Sequence, residues 1–370
     1  MILYLTFNDA LSGIFRSQVI DVIRFMESEL KANIRLVAFI SLRGFSESKK
    51  QILALAPTAI VVPMFPTMRL WKLNRYTLQI IVARLKPSKI ICRSVFATNL
   101  ALKAIKNQNI SIVYDGRGAI SAEVEEYNVI KDTKIKMKIH ALEKNAIIQS
   151  DFRIAVSDEL LKYWKSRFKY VSERHVIIPC TLDNQFTERI VFNTEFKRRL
   201  GFDQKDVILI YSGSTAGWQS FELMYHFFSA ILKQENLKII FLSSRSPLIE
   251  NLERDFPGKV LTMKVPFEEV RNYLSIGDYG ILIREDSVTN KVASPVKFAE
   301  YLAAGLKVII SPSICDYSAF VKENHCGYWV SDLPNTLPML TSGDREHAQD
   351  LSKYFYKQHY TKAYTKVLES

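Results

Sequence analysis

The chain has 370 residues, of which 48% are apolar and 24% charged, and a formal net charge of +12. Those proportions exclude a disordered or fibrous protein, and no apolar run approaches the ~20 residues that a bilayer-crossing helix needs. The opening MILYLTFNDA has neither a basic head nor a small-residue cleavage site, so a cytoplasmic location is expected. The length accommodates two domains, each able to bury its own core. The charge divides unevenly: residues 1–190 hold 29 Lys and Arg against 17 Asp and Glu, whereas residues 191–370 hold 21 against 21. A basic first half facing a polyanion or an anionic membrane, joined to a neutral half that binds something smaller, follows from that split. Cys92, Cys180, Cys315 and Cys326 are scattered and read as reduced, mostly buried thiols.

β-rich runs recur along the first half at 2–7, 34–40, 58–62, 88–92, 110–114, 152–156 and 175–179. The rhythm restarts at 206–212, 237–243, 258–263, 279–283 and 306–311. Strands alternating with helical stretches predict parallel sheets built from right-handed crossovers, hence an α/β chain of two doubly wound domains. The linker is placed near 187–200, which separates a first domain over 1–190 from a second over 191–352; a helix over about 353–370 can pack back on the first. Ligands of such sheets bind beyond the carboxyl ends of the strands, so the loops there carry the chemistry.

In the loop FNDALSGIFRSQV (7–19), Gly13 allows close approach to a diphosphate and Arg16 lies one turn into the following helix. The segment TMRLWKLNRYTLQIIVARLKPSK (67–89) mixes Arg69, Lys72, Arg75, Arg84 and Lys86 with Trp71 and Tyr76, which suits an anionic leaflet or else a solvated basic helix face. In VYDGRGAISAEVEEY (113–127), Asp115 and Arg117 sit at a strand end. Asp115 is placed to orient an acceptor hydroxyl, with Glu123 or Glu126 near it, or the pair forms a turn network with no chemical role. The loop YSGSTAGWQSFE (211–222) offers Gly213 and Gly217 for backbone approach and Ser214 and Thr215 for cradling phosphate; plain turn glycines are the alternative.

In NKVASPVKFAEYLAAGLKVIIS (290–311), Ser294 and Pro295 predict the cap and first residue of a helix, yet Lys297 follows in its first turn. A cation there opposes the helix dipole, unless a bound phosphate answers both the lysine and the free backbone N–H groups. A surface Lys297–Glu300 ion pair is the competing explanation. Six histidines lack metal-ligand spacing, and no Asp-x-Asp triplet follows a strand, so no metal and no cofactor is expected.

The segment 294–311 resembles the nucleotide-sugar-binding stretch of retaining GT-B glycosyltransferases of the family-4 type. Their usual form is a glutamate, seven residues, then Glu-Ala-Met/Tyr-x-x-Gly-x-Pro-Val-Ile. IAVSDELLKYW and VIIPCTLDNQF resemble two further family stretches. The resemblance implies two Rossmann-like domains facing across a cleft, the second binding a nucleotide-diphospho-sugar and the first a glycan or lipid-linked acceptor. It places Glu300 on the nucleotide ribose. The family's first glutamate falls on Val292, so the sugar falls to Arg284, Glu285 or Asn290. The family's arginine and Lys-Gly pair are missing from 211–222, which passes the charge of the leaving diphosphate to Arg245 and Lys297. The loop holding Gly13 and Arg16 resembles the glycine-bearing loop that closes over the donor.

The expected protein is therefore a metal-independent glycosyltransferase of surface polysaccharide or glycolipid assembly, peripheral on the inner membrane face, with no nucleic-acid partner. A catalytically silent partner subunit, or an epimerase or hydrolase of sugar nucleotides on the same fold, is the alternative.

Overall fold

The structure, a computed structural model, describes residues 1–9, 11–105 and 108–370. It contains two all-parallel sheets. The first has seven strands: β1 (Ile2–Phe7), β2 (Ile34–Ile40), β3 (Ile60–Pro63), β4 (Lys89–Arg93), β5 (Ser111–Gly116), β6 (Phe152–Ala155) and β7 (His175–Ile177), ordered β3-β2-β1-β4-β5-β6-β7. The second has six: β8 (Val207–Ser212), β9 (Leu237–Leu242), β10 (Val260–Met263), β11 (Tyr279–Leu282), β12 (Lys307–Ile310) and β13 (Gly327–Trp329), ordered β10-β9-β8-β11-β12-β13. Both are doubly wound, and the strand order reverses between β1 and β4 in one and between β8 and β11 in the other.

Central strands of such sheets are covered by helices on both faces, which is why they read as unbroken apolar runs. In β1 the alternation is visible as a division of labour. Leu3, Leu5 and Phe7 enter one buried cluster, with Val37, Phe39 and Trp71, while Tyr4 enters another, with Leu36, Ala38 and Ile91. In β8, Val207, Leu209 and Tyr211 pack against Phe228 and Phe241, and Ile208 and Ile210 are buried on the opposite face.

The twelve expected strands are all present. The thirteenth, β13, had no signal: it is three residues long, half-buried and opens on a glycine. A Cβ on Gly327 would stand 2.0 Å from the Val308 carbonyl oxygen, so the pairing with β12 requires that glycine.

The described chain divides into two compact units: Met1–Asp183 with Val292–Ser294 and Lys357–Ser370, and Asn184–Lys291 with Pro295–Tyr356. The stretch 187–200 contains a helix, Thr194–Arg199, capped by the Asn193 side chain. The terminal helix Thr361–Glu369 sinks Tyr364 and Val367 into the first unit's core. Lys89 closes its carboxyl end, donating from Nζ to the Val367 and Leu368 carbonyls at 2.7 and 2.8 Å, groups the helix itself cannot satisfy. All four cysteines are free thiols.

One buried carboxyl makes the first unit pH-sensitive. Glu143 is fully buried, and its Oε2 accepts the Ser121 N–H at 2.8 Å in the first turn of the helix Ile120–Tyr127. Burial pushes its pKa up from 4.5 to about 7, against the lowering effect of the Ser121 bonds. The folded state therefore favours the protonated acid, and that stability is fully present below the unfolded value and lost as pH rises through the folded one. Relative to Glu143→Gln, which keeps the acceptor without the charge, the wild type should lose on the order of 3 kcal/mol between pH 4.5 and 7.5. Denaturant titrations at both ends of that interval measure the difference; a constant offset between the two proteins would contradict it.

Candidate functional site

The reversal point of the second sheet lies between β8 and β11, and the loops that leave these two strands gather the charged groups. Three side chains meet there. Gln219, from the short helical turn Gly217–Gln219 after β8, presents its Oε1 to Lys297 Nζ at 3.1 Å and to Arg284 Nη2 at 3.4 Å. Arg284, just past β11, also donates from Nη1 to Asn290 Oδ1 at 3.4 Å, and its backbone N–H is held by Ser311 Oγ at 2.9 Å. Lys297 lies in the first turn of the helix Val296–Ala303, with Nζ 4.1 Å from the centre of the Tyr211 ring.

Both cations are buried, Lys297 to 7% exposure and Arg284 to 6%. Desolvation, with Arg284's charge adding to it, drives the Lys297 ammonium well below the usual lysine range, while Glu300 one turn along works in the opposite direction. The two basic side chains converge on one amide oxygen, with Glu300 buried on the same helix as the acidic group that acts on Lys297; burying such charges costs stability unless opposite charge is near. Glycine is required beside it. Gly213 has φ +149°, and a Cβ there would stand 2.9 Å from Lys297 Nζ. The loop is pinned by Tyr211, whose hydroxyl donates to the Ser214 carbonyl at 2.6 Å, and by Ser220, whose Oγ accepts the Glu285 N–H at 2.9 Å.

The expected site residues separate into those that join this cluster and those that do not. Lys297, Arg284, Asn290 and Gly213 belong to it, and Glu300 lies on the same helix, 5% exposed. Ser214 and Thr215 stand exposed in the adjoining loop, open to solvent as phosphate-cradling groups would be. The reading of Lys297 and Glu300 as a solvated surface pair fails, because both side chains are buried.

Other expectations need correction. Ser294 does not cap the helix: Pro295 holds the cap position without a side-chain bond, and Ser294 Oγ accepts the Cys180 N–H at 2.9 Å within the first unit. Arg245 is not drawn into the cluster; its side chain is 65% exposed and pairs with Glu253 at 3.7 Å. Gly13 is not a loop glycine but opens a helical turn capped by Ser12, and Arg16 begins a π-helical stretch, Arg16–Ile20, with Nε 3.7 Å from Asp183 in the same unit. Asp115 lies inside β5 rather than in a loop and is wholly buried. Tyr4 donates to its Oδ2 at 2.6 Å, and Arg117 donates from Nη2 to the same oxygen at 3.0 Å. Arg117 Nε also stands 2.7 Å from Oδ1, a charge contact too far off line to count as a hydrogen bond, and Arg93 Nη1 is 3.8 Å from Oδ2. This is the network alternative: the carboxylate is occupied by its neighbours. Val292, where a carboxylate was missing, fills an apolar cluster with Trp164 and Tyr114.

Two members of the site escaped notice. Gln219 carries no charge, and Tyr211 reads as one more core residue of a strand. Among the described residues, no group of three or more His, Cys, Asp and Glu could hold a metal ion.

No protein-family model matches the chain, and no curated protein does. Solved structures do match it along its whole length. A glycosyltransferase from Rickettsia africae ESF-5 superimposes with a TM-score of 0.69 at 12% identity, over 100% of this chain and 99% of that one. HepE of Anabaena in complex with UDP gives 0.71 at 12% identity, over 100% and 99% of the two chains. The lipopolysaccharide outer core galactosyltransferase WaaB gives 0.68 at 13%, again over 100% and 99%. The chain shares their fold, the GT-B arrangement of two parallel α/β sheets.

If the cluster is short of one anion, supplying a negative charge should relieve it. Gln219→Glu is expected to raise thermal stability by about 1–3 kcal/mol, the range for a hydrogen bond to a charged group. It should also abolish the increase in Tm that inorganic pyrophosphate gives the wild type. Thermal unfolding of both proteins with and without pyrophosphate decides the matter; a lowered Tm, or an undiminished pyrophosphate effect, would contradict the anion-site assignment.

Proposed function

We propose that the protein is a glycosyltransferase that moves a sugar from a nucleotide-diphospho-sugar to a glycan or lipid-linked acceptor. One observation carries this reading: two buried basic side chains, Lys297 and Arg284, converge on the Gln219 amide oxygen at the reversal point of the second sheet. A diphosphate is a ligand whose charge answers two such basic groups, and HepE, of the same fold, has been solved with UDP and with UDP-glucose.

In this reading the second unit holds the donor. Lys297 and Arg284 meet the diphosphate, Gly213 lets the backbone of the β8 loop come close, and Ser214 and Thr215 add donors to the phosphate oxygens. Glu300 accepts from the ribose hydroxyls, and Asn290 or Glu285 contacts the sugar, since Val292 leaves no carboxylate to do so. As the glycosidic bond breaks, charge grows on the leaving diphosphate, and cations already fixed in place stabilise it without reorganising. The downward pull of burial on Lys297 fits that role, because an anion beside the side chain favours its protonated form. The basic first unit takes the acceptor; transfer proceeds with retention of anomeric configuration, at the inner face of the membrane, in assembly of a surface polysaccharide or glycolipid. No metal is required when lysine and arginine supply the countercharge.

Two substitutions separate binding from chemistry. Glu300→Ala should weaken nucleotide-sugar binding by about 1–3 kcal/mol with the fold intact. Lys297→Ala should depress kcat more than it raises the dissociation constant, since its partner gains charge in the transition state. A panel of nucleotide sugars screened by thermal shift identifies the donor, and product analysis with that donor follows. Failure of every nucleoside diphosphate and nucleotide sugar to stabilise the folded protein would overturn the function; donor binding without any turnover would favour the silent-partner alternative.

A further inference from the structure

Between Glu47 and Asp115 the chain contains no Asp or Glu at all, but eleven Lys and Arg. Most of this acid-free stretch is ordinary interior of the first unit. Its outward part is not. The short helix Met68–Asn74 runs directly into the helix Arg75–Leu85, and their inward positions are Trp71, which packs edge-on against Phe7 and Phe96, and Leu78, Ile81 and Val82. The outward positions are large and apolar as well: Leu70 is 49% exposed, Leu73 47%, Tyr76 53% and Ile80 70%. Tyr76 and Ile80 stand one turn apart on the helix Arg75–Leu85, and the stripe begins with Leu73 and Leu70 of the short helix before it, Leu70 at a kink with φ −104° and ψ 24°. At the carboxyl ends of the neighbouring strands β2 and β3, Leu42 is 49% and Phe65 65% exposed, and Phe65 is tied to the same helix by its N–H, which donates to Asn74 Oδ1 at 2.9 Å.

Cations interleave with this stripe. Arg69, Lys72 and Arg84 are exposed, and Arg75 lies over the Tyr76 ring, 4.7 Å from its centre, with Nη2 donating to the Tyr76 hydroxyl at 2.7 Å. Arg43 is exposed beside Leu42. Acidic neutralisation is slight: Arg69 reaches Asp132 only at 3.9 Å. A contiguous exposed apolar patch is costly in water unless something covers it.

We propose that this face docks on an anionic lipid bilayer, with Phe65, Leu70, Leu73 and Ile80 entering the interface and the arginines and lysines held at headgroup level. The proposal makes specific the membrane-side part of the function above and does not depend on the donor site. Composition selects the occupant. A nucleic acid would be met by the cations but not by leucine and isoleucine, which neither stack nor hydrogen-bond. The same face of a second copy of this chain would bring a second predominantly basic surface against the first, and like charge opposes that pairing. A bilayer with acidic headgroups answers both halves of the surface at once: apolar side chains bury at the acyl boundary, and cations meet phosphate.

Flotation with vesicles of phosphatidylglycerol and phosphatidylcholine in equal parts, against vesicles of phosphatidylcholine alone, tests it. The wild type should float with the acidic vesicles and stay below with the neutral ones. Leu73→Ser with Ile80→Ser should cut vesicle affinity roughly tenfold or more, as expected for withdrawing two large side chains from an apolar phase. Arg69→Gln with Lys72→Gln and Arg75→Gln should remove the preference for acidic lipid and its salt sensitivity. Four of the five positions are exposed and the fifth, Arg75, is half-buried against the exposed Tyr76, so thermal unfolding should match the wild type and confirm that loss of binding is not loss of fold. Equal flotation with both vesicle types overturns the proposal, as does no flotation at all. Unchanged affinity of the serine variant contradicts insertion, and a concentration-dependent dimer that the serine variant abolishes, in a protein that ignores vesicles, assigns the face to a second copy. The donor assignment is unaffected by any of these results, because nucleotide-sugar binding is read in solution without lipid.

Discussion

Burying two basic side chains, Lys297 and Arg284, against one amide oxygen is the constraint on which the strand-end loops of the second unit are organised. Lys297 and Arg284 come from different loops, and neither would hold its place without a rigid frame, since each cation gains by escaping to water. The frame is the sheet. β8 and β11 are hydrogen-bonded neighbours that diverge at their carboxyl ends, so the loops leaving them must frame a crevice. Into it the β8 loop delivers Gln219 and the β11 loop delivers Arg284, while the helix Val296–Ala303 sets Lys297 over the face of Tyr211. The aromatic face supplies part of the solvation the lysine has lost, worth about 2 kcal/mol for a desolvated pair. The result is a pair of basic groups held at fixed positions at the strand ends.

The first unit solves a similar problem differently. At the ends of β4 and β5, Arg93 and Arg117 surround Asp115, with Tyr4 donating to the same carboxylate. Here the charges close on one another inside the protein. The two clusters differ in where the carboxylate stands: Asp115 is in direct contact with Arg117, whereas Glu300 acts on Lys297 from one turn along its helix. On the surface, some cations have close acidic partners, Arg167 with Glu125 and Arg189 with Glu346 within 3 Å, whereas Arg69 on the 65–84 face reaches Asp132 only at 3.9 Å.

Most of the fold was legible in the sequence because strands buried on both faces must be apolar throughout, and such runs stand out in a chain that is otherwise mixed. β13 was not legible: three residues led by glycine carry no pattern, and only the backbone of β12 defines it. Lys297 was legible for a different reason, because a cation in the first turn of a helix breaks a local rule and has to be explained by something beyond the helix. Ser294 misled because Ser-Pro before a helix is a general capping signature, whereas here a tertiary bond to the Cys180 amide claims the hydroxyl. Asp115 misled because the apolar run ends at Tyr114 while the ladder continues, pairing Asp115 with Arg93 one step further. Gln219 could not be found from sequence, since its importance lies in two partners that are distant along the chain.

The central claim, that an anion completes the Lys297–Arg284 cluster, is tested most directly by the protons that move when the ligand binds. Burial holds the Lys297 pKa well below its usual range, and a diphosphate bound beside it raises that value, so binding should draw a proton from solution. Calorimetric titration of UDP in buffers of different ionisation enthalpy counts those protons. The account predicts uptake that increases as the solution is made more alkaline and that disappears in Lys297→Met, while UDP that binds with no proton exchange at any pH, or with the same exchange in the methionine variant, would contradict it.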